Sequence, residues 1–176
     1  MAIDSFRECL RIRILHLGRD HQDVATVWYN IATIHLERGD DDGALLCYRE
    51  TLRVERAMAG ETNPNVASTL LQLGSFHRHR GELDEALHCY LEALAIEKMH
   101  MRESSTVLSV AVCRTLNMIG NIYLERRDLP KMMEYFSEAM RMFETYGAND
   151  DNDSLVVTGI DLYDLLRLHP ESVAAA

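Results

Sequence analysis

The stretch GDDDGALLCYRETLRVER, from Gly39 to Arg56, returns 42 residues later as GELDEALHCYLEALAIEK, from Gly81 to Lys98. The two copies have the same residue type at Gly39, Asp42, Ala44, Leu45, Cys47, Tyr48, Glu50, Leu52 and Glu55. In each copy the apolar residues recur three and four positions apart, which predicts an amphipathic helix. The repetition predicts an array of similar helical units, because one such unit cannot bury its apolar face alone.

A second kind of segment precedes each copy. VATVWYNIATIHLERG ends at Gly39 and VASTLLQLGSFHRHRG ends at Gly81, again 42 residues apart. Glycine at this junction can adopt the left-handed conformation that closes a helix. The acidic residues that follow, within 40–42 and 82–85, suit the positive N-terminal end of another helix. Each unit is therefore predicted to be a pair of helices joined by a tight turn.

A third, looser copy contains VAVCRTLNMIG and LPKMMEYFSEAM, displaced by 46 residues because MHMRESST adds about one helical turn. AIDSFRECLRI near the N-terminus matches the second helix again, so the chain opens on half a repeat, as a fragment of a longer array would. LVVTGIDLYDLLRLHP predicts a last helix that caps the array. The expected organisation is the second helix of a partial repeat at 1–18, repeats at 19–60, 61–103 and 104–147, a polar linker at 148–154, and a capping helix with its tail at 155–176.

The order of large, small and aromatic residues resembles the tetratricopeptide repeat (TPR). The three copies carry the pattern as Trp28, Ala32, His35, Ala44 and Tyr48, as Leu70, Gly74, His77, Ala86 and Tyr90, and as Leu116, Gly120, Tyr123, Met132 and Phe136. The 42-residue period, with LGRDHQDVA ending at Ala25, is similar to the kinesin light chain type of repeat. The resemblance implies an all-α fold, a right-handed TPR superhelix (α-solenoid) of antiparallel helix pairs, with about eight helices and a C-terminal capping helix.

Composition limits the class of partner. The formal charge of −10 argues against nucleic acid, whose phosphates require clustered Lys and Arg. No stretch approaches the 18 uncharged apolar residues of a membrane span, and the N-terminus lacks the layout of a signal peptide. The four cysteines form no CxxC pair, so a reduced, cytoplasmic protein without nucleic-acid or membrane partners is expected.

The sequence predicts no catalytic, cofactor or metal site. It contains no Gly-rich phosphate loop, no HExxH and no GxSxG. His77 and His79 point to different sides of a helix, and His77 occupies the aromatic position of the repeat, which indicates a histidine at the edge of the core. NDDND, from Asn149, fails the calcium-loop pattern because Ser154 and Ile160 stand where Gly and Glu are needed.

The resemblance implies that the first helices line a concave face. That face would bind an extended, acidic peptide, because it combines amides and hydroxyls with a basic cluster of Arg78, His79 and Arg114. The relatives that bind C-terminal carboxylates use Lys and Asn where this chain has Tyr29 and Thr33, so binding of that kind is not expected here. The predicted partner-binding residues are Tyr29, Asn30, Thr33, Glu37, Leu71, Gln72, Ser75, Arg78, His79, Arg114, Asn117, Met118, Asn121 and Glu125.

Two other interpretations stay open. The chain could be a structural piece that self-associates through its N-terminal half-repeat, where Ile3, Phe6, Leu10 and Ile14 form an apolar stripe. It could also be the regulatory TPR region of a longer signalling or cargo-adaptor protein.

Overall fold

The computed structural model describes residues 2–101 and 106–146. These residues form seven α-helices and no strand, which agrees with the predicted all-α class. The chain divides into two compact units, Met1–Phe76 and His77–Ala176. The predicted linker and capping helix, residues 148–176, lie outside the described residues. The helices are α1 Ala2–Leu17, α2 Gln22–Glu37, α3 Asp41–Ala59, α4 Pro64–His79, α5 Leu83–Met101, α6 Thr106–Glu125 and α7 Leu129–Tyr146.

In the first unit, α2 packs against α3 and α1 packs against α2. The apolar positions predicted from the repeat lie in this core, where each buried aliphatic side chain contributes about 1.5–3 kcal/mol. Part of the N-terminal stripe also lies in this core, whereas Phe6 and Ile14 are partly exposed. Ile3 and Leu10 are only 7% exposed. The core residues include Val24, Val27, Ile31, Ala32, Ala44, Tyr48, Leu52 and Val54.

In the second unit, α6 packs against both α5 and α7. Gly120 on α6 faces Phe136 on α7 so closely that an added Cβ atom would lie 2.6 Å from Phe136 Cδ1. The thiol of Cys113, two turns earlier on the same stripe, donates a hydrogen bond to the carbonyl of Ala139. Small residues on this stripe therefore allow α6 and α7 to approach closely, as the TPR resemblance implies for Gly120.

The turn between the two helices of a pair is the same in all three copies. The backbone N–H of Asp40 donates to the carbonyl of His35, that of Glu82 donates to His77, and that of Asp128 donates to Tyr123, each at 2.9 Å. The predicted left-handed glycines are confirmed, with φ of 71° at Gly39 and 76° at Gly81. The third turn places Arg127 in that conformation with φ of 59°. An L side chain is strained there by roughly 1–2 kcal/mol.

The histidines at the aromatic position close the first two turns. His35 Nδ1 lies 2.7 Å from Asp40 Oδ2, and His77 Nδ1 lies 2.6 Å from Glu82 Oε2. Both imidazoles are buried at the edge of the core, as predicted for His77. In the third turn Tyr123 instead stacks on Tyr135, with ring centroids 5.4 Å apart.

Candidate functional site

The candidate functional residues lie on the exposed faces of the first helices of the pairs, which are α2 and most of α4 in the first unit, and the end of α4 and α6 in the second. In the first unit, Glu37 and Gln72 are exposed, while Tyr29, Asn30, Thr33, Leu71 and Ser75 are partly exposed. All seven of these predicted residues therefore reach the surface of their unit. They supply amide, hydroxyl and carboxylate groups beside the apolar side chains of Tyr29 and Leu71.

Aromatic packing holds the face of α2 in place. The ring of Tyr29 meets the buried ring of Tyr48 on α3 edge to face, with centroids 5.6 Å apart. The hydroxyl of Thr33 donates to the backbone carbonyl of Tyr29 at 3.2 Å. Burial raises the pKa of Tyr48, and a hydrogen bond with Thr33 partly opposes this shift. Tyr29 is thus held in place by its contact with α3, and its side chain remains partly exposed.

The predicted basic cluster belongs to the second unit, where one of its charges is already balanced. Arg78 Nε donates to Glu125 Oε1 at 2.7 Å, so these two predicted residues form an ion pair. His79 and Arg114 are exposed. Arg78 therefore contributes little net positive charge to this face, and the charge of Arg114 also acts on the buried Glu97.

Asn117 differs from the other predicted residues because it is buried, at 4% exposure. Its position explains the difference. Asn117 lies four residues after Cys113 and three before Gly120, on the stripe of α6 that faces α7. It therefore belongs to the helix interface of its own unit. Met118 and Asn121 are partly exposed and Glu125 is exposed.

Two buried carboxylates recur near the ends of second helices. Thr69 on α4 donates to Glu55 Oε2 on α3 at 2.8 Å. Burial raises the pKa of Glu55, and the hydrogen bond from Thr69 partly opposes this. Burial also raises the pKa of Glu97, and Thr115 and the positive charge of Arg114 partly oppose it. Glu97 lies 42 residues after Glu55, and Thr115 lies 46 residues after Thr69. This recurrence at the repeat offsets is the signal by which the sequence could have revealed both carboxylates.

Within the described residues, no group of three His, Cys, Asp or Glu side chains could hold a metal ion. None of the seven described helices combines the length and the apolar character needed to cross a bilayer. The four cysteines form no disulfide. Burial raises the pKa of Cys47 to about 11, so this thiol stays protonated at neutral pH.

Comparison with known proteins supports the repeat assignment. The family model described as "Tetratricopeptide repeat" matches residues 66–100, inside the predicted second repeat. No curated protein matches the chain in sequence.

Solved structures resemble the chain in fold. BtubC (BKLC) from P. vanneervenii has a TM-score of 0.74 at 23% identity, over 86% of this chain and 59% of that chain. The nearly identical TPR-like repeats assigned to a kinesin light chain of Podosopora anserina have a TM-score of 0.70 at 11% identity, over 99% of this chain and 84% of that one. The N-terminal domain of stress-induced protein-1 (STI-1) from C. elegans has a TM-score of 0.60 at 12% identity, over 81% and 96%.

These identities establish the fold alone. They confirm the predicted all-α fold of TPR helix pairs. The chain spans 59% of the length of BtubC, so it corresponds to part of that protein.

Proposed function

Because the chain carries a tetratricopeptide repeat and has the fold of kinesin-light-chain-like repeats, we propose that it is a non-catalytic protein-interaction scaffold. It binds an extended, acidic peptide segment through the first helices, α2, α4 and α6. TPR folds generally serve as protein-interaction modules. The observation that carries the peptide proposal is the composition of the first-helix faces, where amides lie beside partly exposed apolar side chains in each unit.

The amides favour an extended ligand. Asn30 and Gln72 in the first unit and Asn121 in the second each offer a donor and an acceptor. An extended peptide has backbone N–H and C=O groups that can use both. Tyr29 and Leu71 in the first unit, and Met118 in the second, supply apolar contact beside these amides.

Arg114 supports the preference for acidic residues, because it is exposed, although its charge also acts on the buried Glu97. An exposed ion pair contributes only about 0.2–1 kcal/mol, so Arg114 selects among peptides more than it determines affinity. The apolar contacts supply most of the affinity, and an acidic residue in the peptide decides its register.

A reduced, cytoplasmic location is consistent with the absence of disulfides among the four cysteines.

Site-specific photocrosslinking tests this proposal. A benzoylphenylalanine residue replaces Gln72 on α4 in one variant and Met118 on α6 in another, so that Arg114 is retained, and lysate from the source cells is irradiated with each. Matched controls carry the same residue at Ala57 on α3 and at Glu134 on α7, which are exposed positions of second helices. We expect both first-helix positions to crosslink to one protein, at an acidic segment identified by mass spectrometry.

Crosslinks that form only from Ala57 and Glu134 would move the binding surface to the second helices and refute the proposal. Crosslinks from positions 72 and 118 to basic segments would keep the surface but refute the acidic preference. Arg78 is a poor choice for charge reversal, because Arg78→Glu would place a second carboxylate beside Glu125.

A further inference from the structure

A groove lies within the first unit, between α1, α2 and α3, and it is distinct from the first-helix faces described above. Its volume is about 550 Å³. Apolar side chains from all three helices line it, with charged residues around them. The lining residues used below are Arg7, Leu10, Trp28, Ile31, Leu46 and Arg49.

The floor of the groove is apolar. Leu10 and Ile31 are buried, and Trp28 is half-buried against them. Leu46 is 65% exposed at the edge, although it lies one residue before the buried Cys47. The Cys47 thiol is protonated at neutral pH, because burial raises its pKa to about 11. The groove therefore presents an apolar surface and no nucleophile.

The acidic and basic residues around the groove differ in their hydrogen bonding. Asp40 contacts His35 Nδ1 through Oδ2 and accepts a hydrogen bond from the Gly43 N–H through Oδ1. Glu50 accepts a hydrogen bond from Arg53 at 3.0 Å. Arg49, by contrast, is exposed and forms no ion pair or side-chain hydrogen bond with any described residue. Arg7 is also exposed, and its positive charge acts on Asp4 in α1 and on Cys47 without a direct contact between charged groups. Both guanidinium groups therefore lie beside the apolar floor without a hydrogen-bonded carboxylate from the described part of the chain, in a protein whose formal charge is −10.

We propose that this groove docks a short segment of another protein that carries a large apolar side chain next to acidic residues. The apolar side chain packs on Trp28 and Leu46, and the carboxylates pair with Arg7 and Arg49. A guanidinium can bind a carboxylate through two parallel hydrogen bonds, which fixes the orientation of the segment. This surface is separate from the first-helix faces, so the inference does not depend on the proposed function.

Fluorescence of Trp28 reports on the groove directly, because it is the only tryptophan in the chain. The probe is the hexapeptide acetyl-EEFLEE-amide, which contains no tryptophan. Two matched peptides, acetyl-KKFLKK-amide and acetyl-EEGGEE-amide, remove the acidic groups and the apolar groups in turn. We expect a saturable change of Trp28 emission with the first peptide only, weakened by added salt.

Variants then locate the effect. The double variant Arg7→Gln/Arg49→Gln should bind the acidic peptide at least about tenfold more weakly, because both charge-assisted contacts are lost. Arg19→Gln removes the same kind of charge from an exposed position outside the groove and should bind as the unaltered protein does. Leu46→Ala should also weaken binding, and its helical content should not change because Leu46 is exposed.

The absence of a saturable change with acetyl-EEFLEE-amide would overturn the proposal. So would equal affinity in the double variant, with circular dichroism confirming that it folds. If Trp28 emission depends on protein concentration alone and sedimentation shows a dimer, the groove is instead a contact between two copies of this chain.

Discussion

Replacing Gly120 by alanine tests whether α6 and α7 are held together by a close approach. The added Cβ atom would lie 2.6 Å from Phe136 Cδ1 and 3.0 Å from Cζ, whereas carbon atoms normally meet at about 3.5–4.0 Å. Phe136 is fully buried, so its ring cannot move into solvent. Because the ring cannot move aside, the upper part of the usual overpacking cost applies, about 2–3 kcal/mol, and the higher helix propensity of alanine returns about 1 kcal/mol.

Gly120→Ala should therefore lower the free energy of unfolding by about 1–2 kcal/mol, measured by urea denaturation followed by circular dichroism. At roughly 2–4 °C for each kcal/mol, the thermal midpoint should fall by about 2–8 °C. The control is Phe136→Leu, which removes the ring atoms that the new methyl group would meet.

The double variant Gly120→Ala/Phe136→Leu should be more stable than the sum of the two single changes predicts, with a coupling energy of about 1 kcal/mol. If Gly120→Ala is as stable as the unaltered protein, the approach of the two helices is looser than the structure indicates. If the single effects simply add, Phe136 is not the group that excludes the methyl group.

Four further substitutions have defined outcomes. Burial raises the pKa of Glu97 in the folded state, so its contribution to stability is present below the ordinary Glu range and is lost as pH rises through the raised pKa. Glu97→Gln should therefore become more stable relative to the unaltered protein as pH increases. A constant difference in urea midpoint between pH 4 and pH 8 would contradict this. Gly81→Ala should destabilise by about 1 kcal/mol because φ is positive there, while Arg127→Gly should stabilise by up to about 1 kcal/mol for the same reason, both by thermal denaturation. Arg53→Ala removes an exposed pair with Asp20 and should cost less than about 1 kcal/mol in urea denaturation, with the difference vanishing in high salt.

Much of the fold follows from local sequence. The copies at Gly39 and Gly81 predict the helix pairs, because amphipathic periodicity and helix-closing glycines act over a few neighbouring residues. His77 could be assigned to the core edge by its repeat position alone. The exposed character of Gln72 and Arg114 also followed from their place in the repeat.

What the sequence alone determined is thus the array of helix pairs, the closing turns and most of the first-helix faces. Only the tertiary structure decided that Arg78 is balanced by Glu125, 47 residues away, and that Asn117 turns toward α7. It also decided that Ile3 and Leu10 of the N-terminal stripe are buried, and that Arg7, Trp28 and Arg49 surround one groove. These features depend on which side of each helix meets its neighbour. A helical period reveals that a face exists, and packing between distant segments determines what that face contacts.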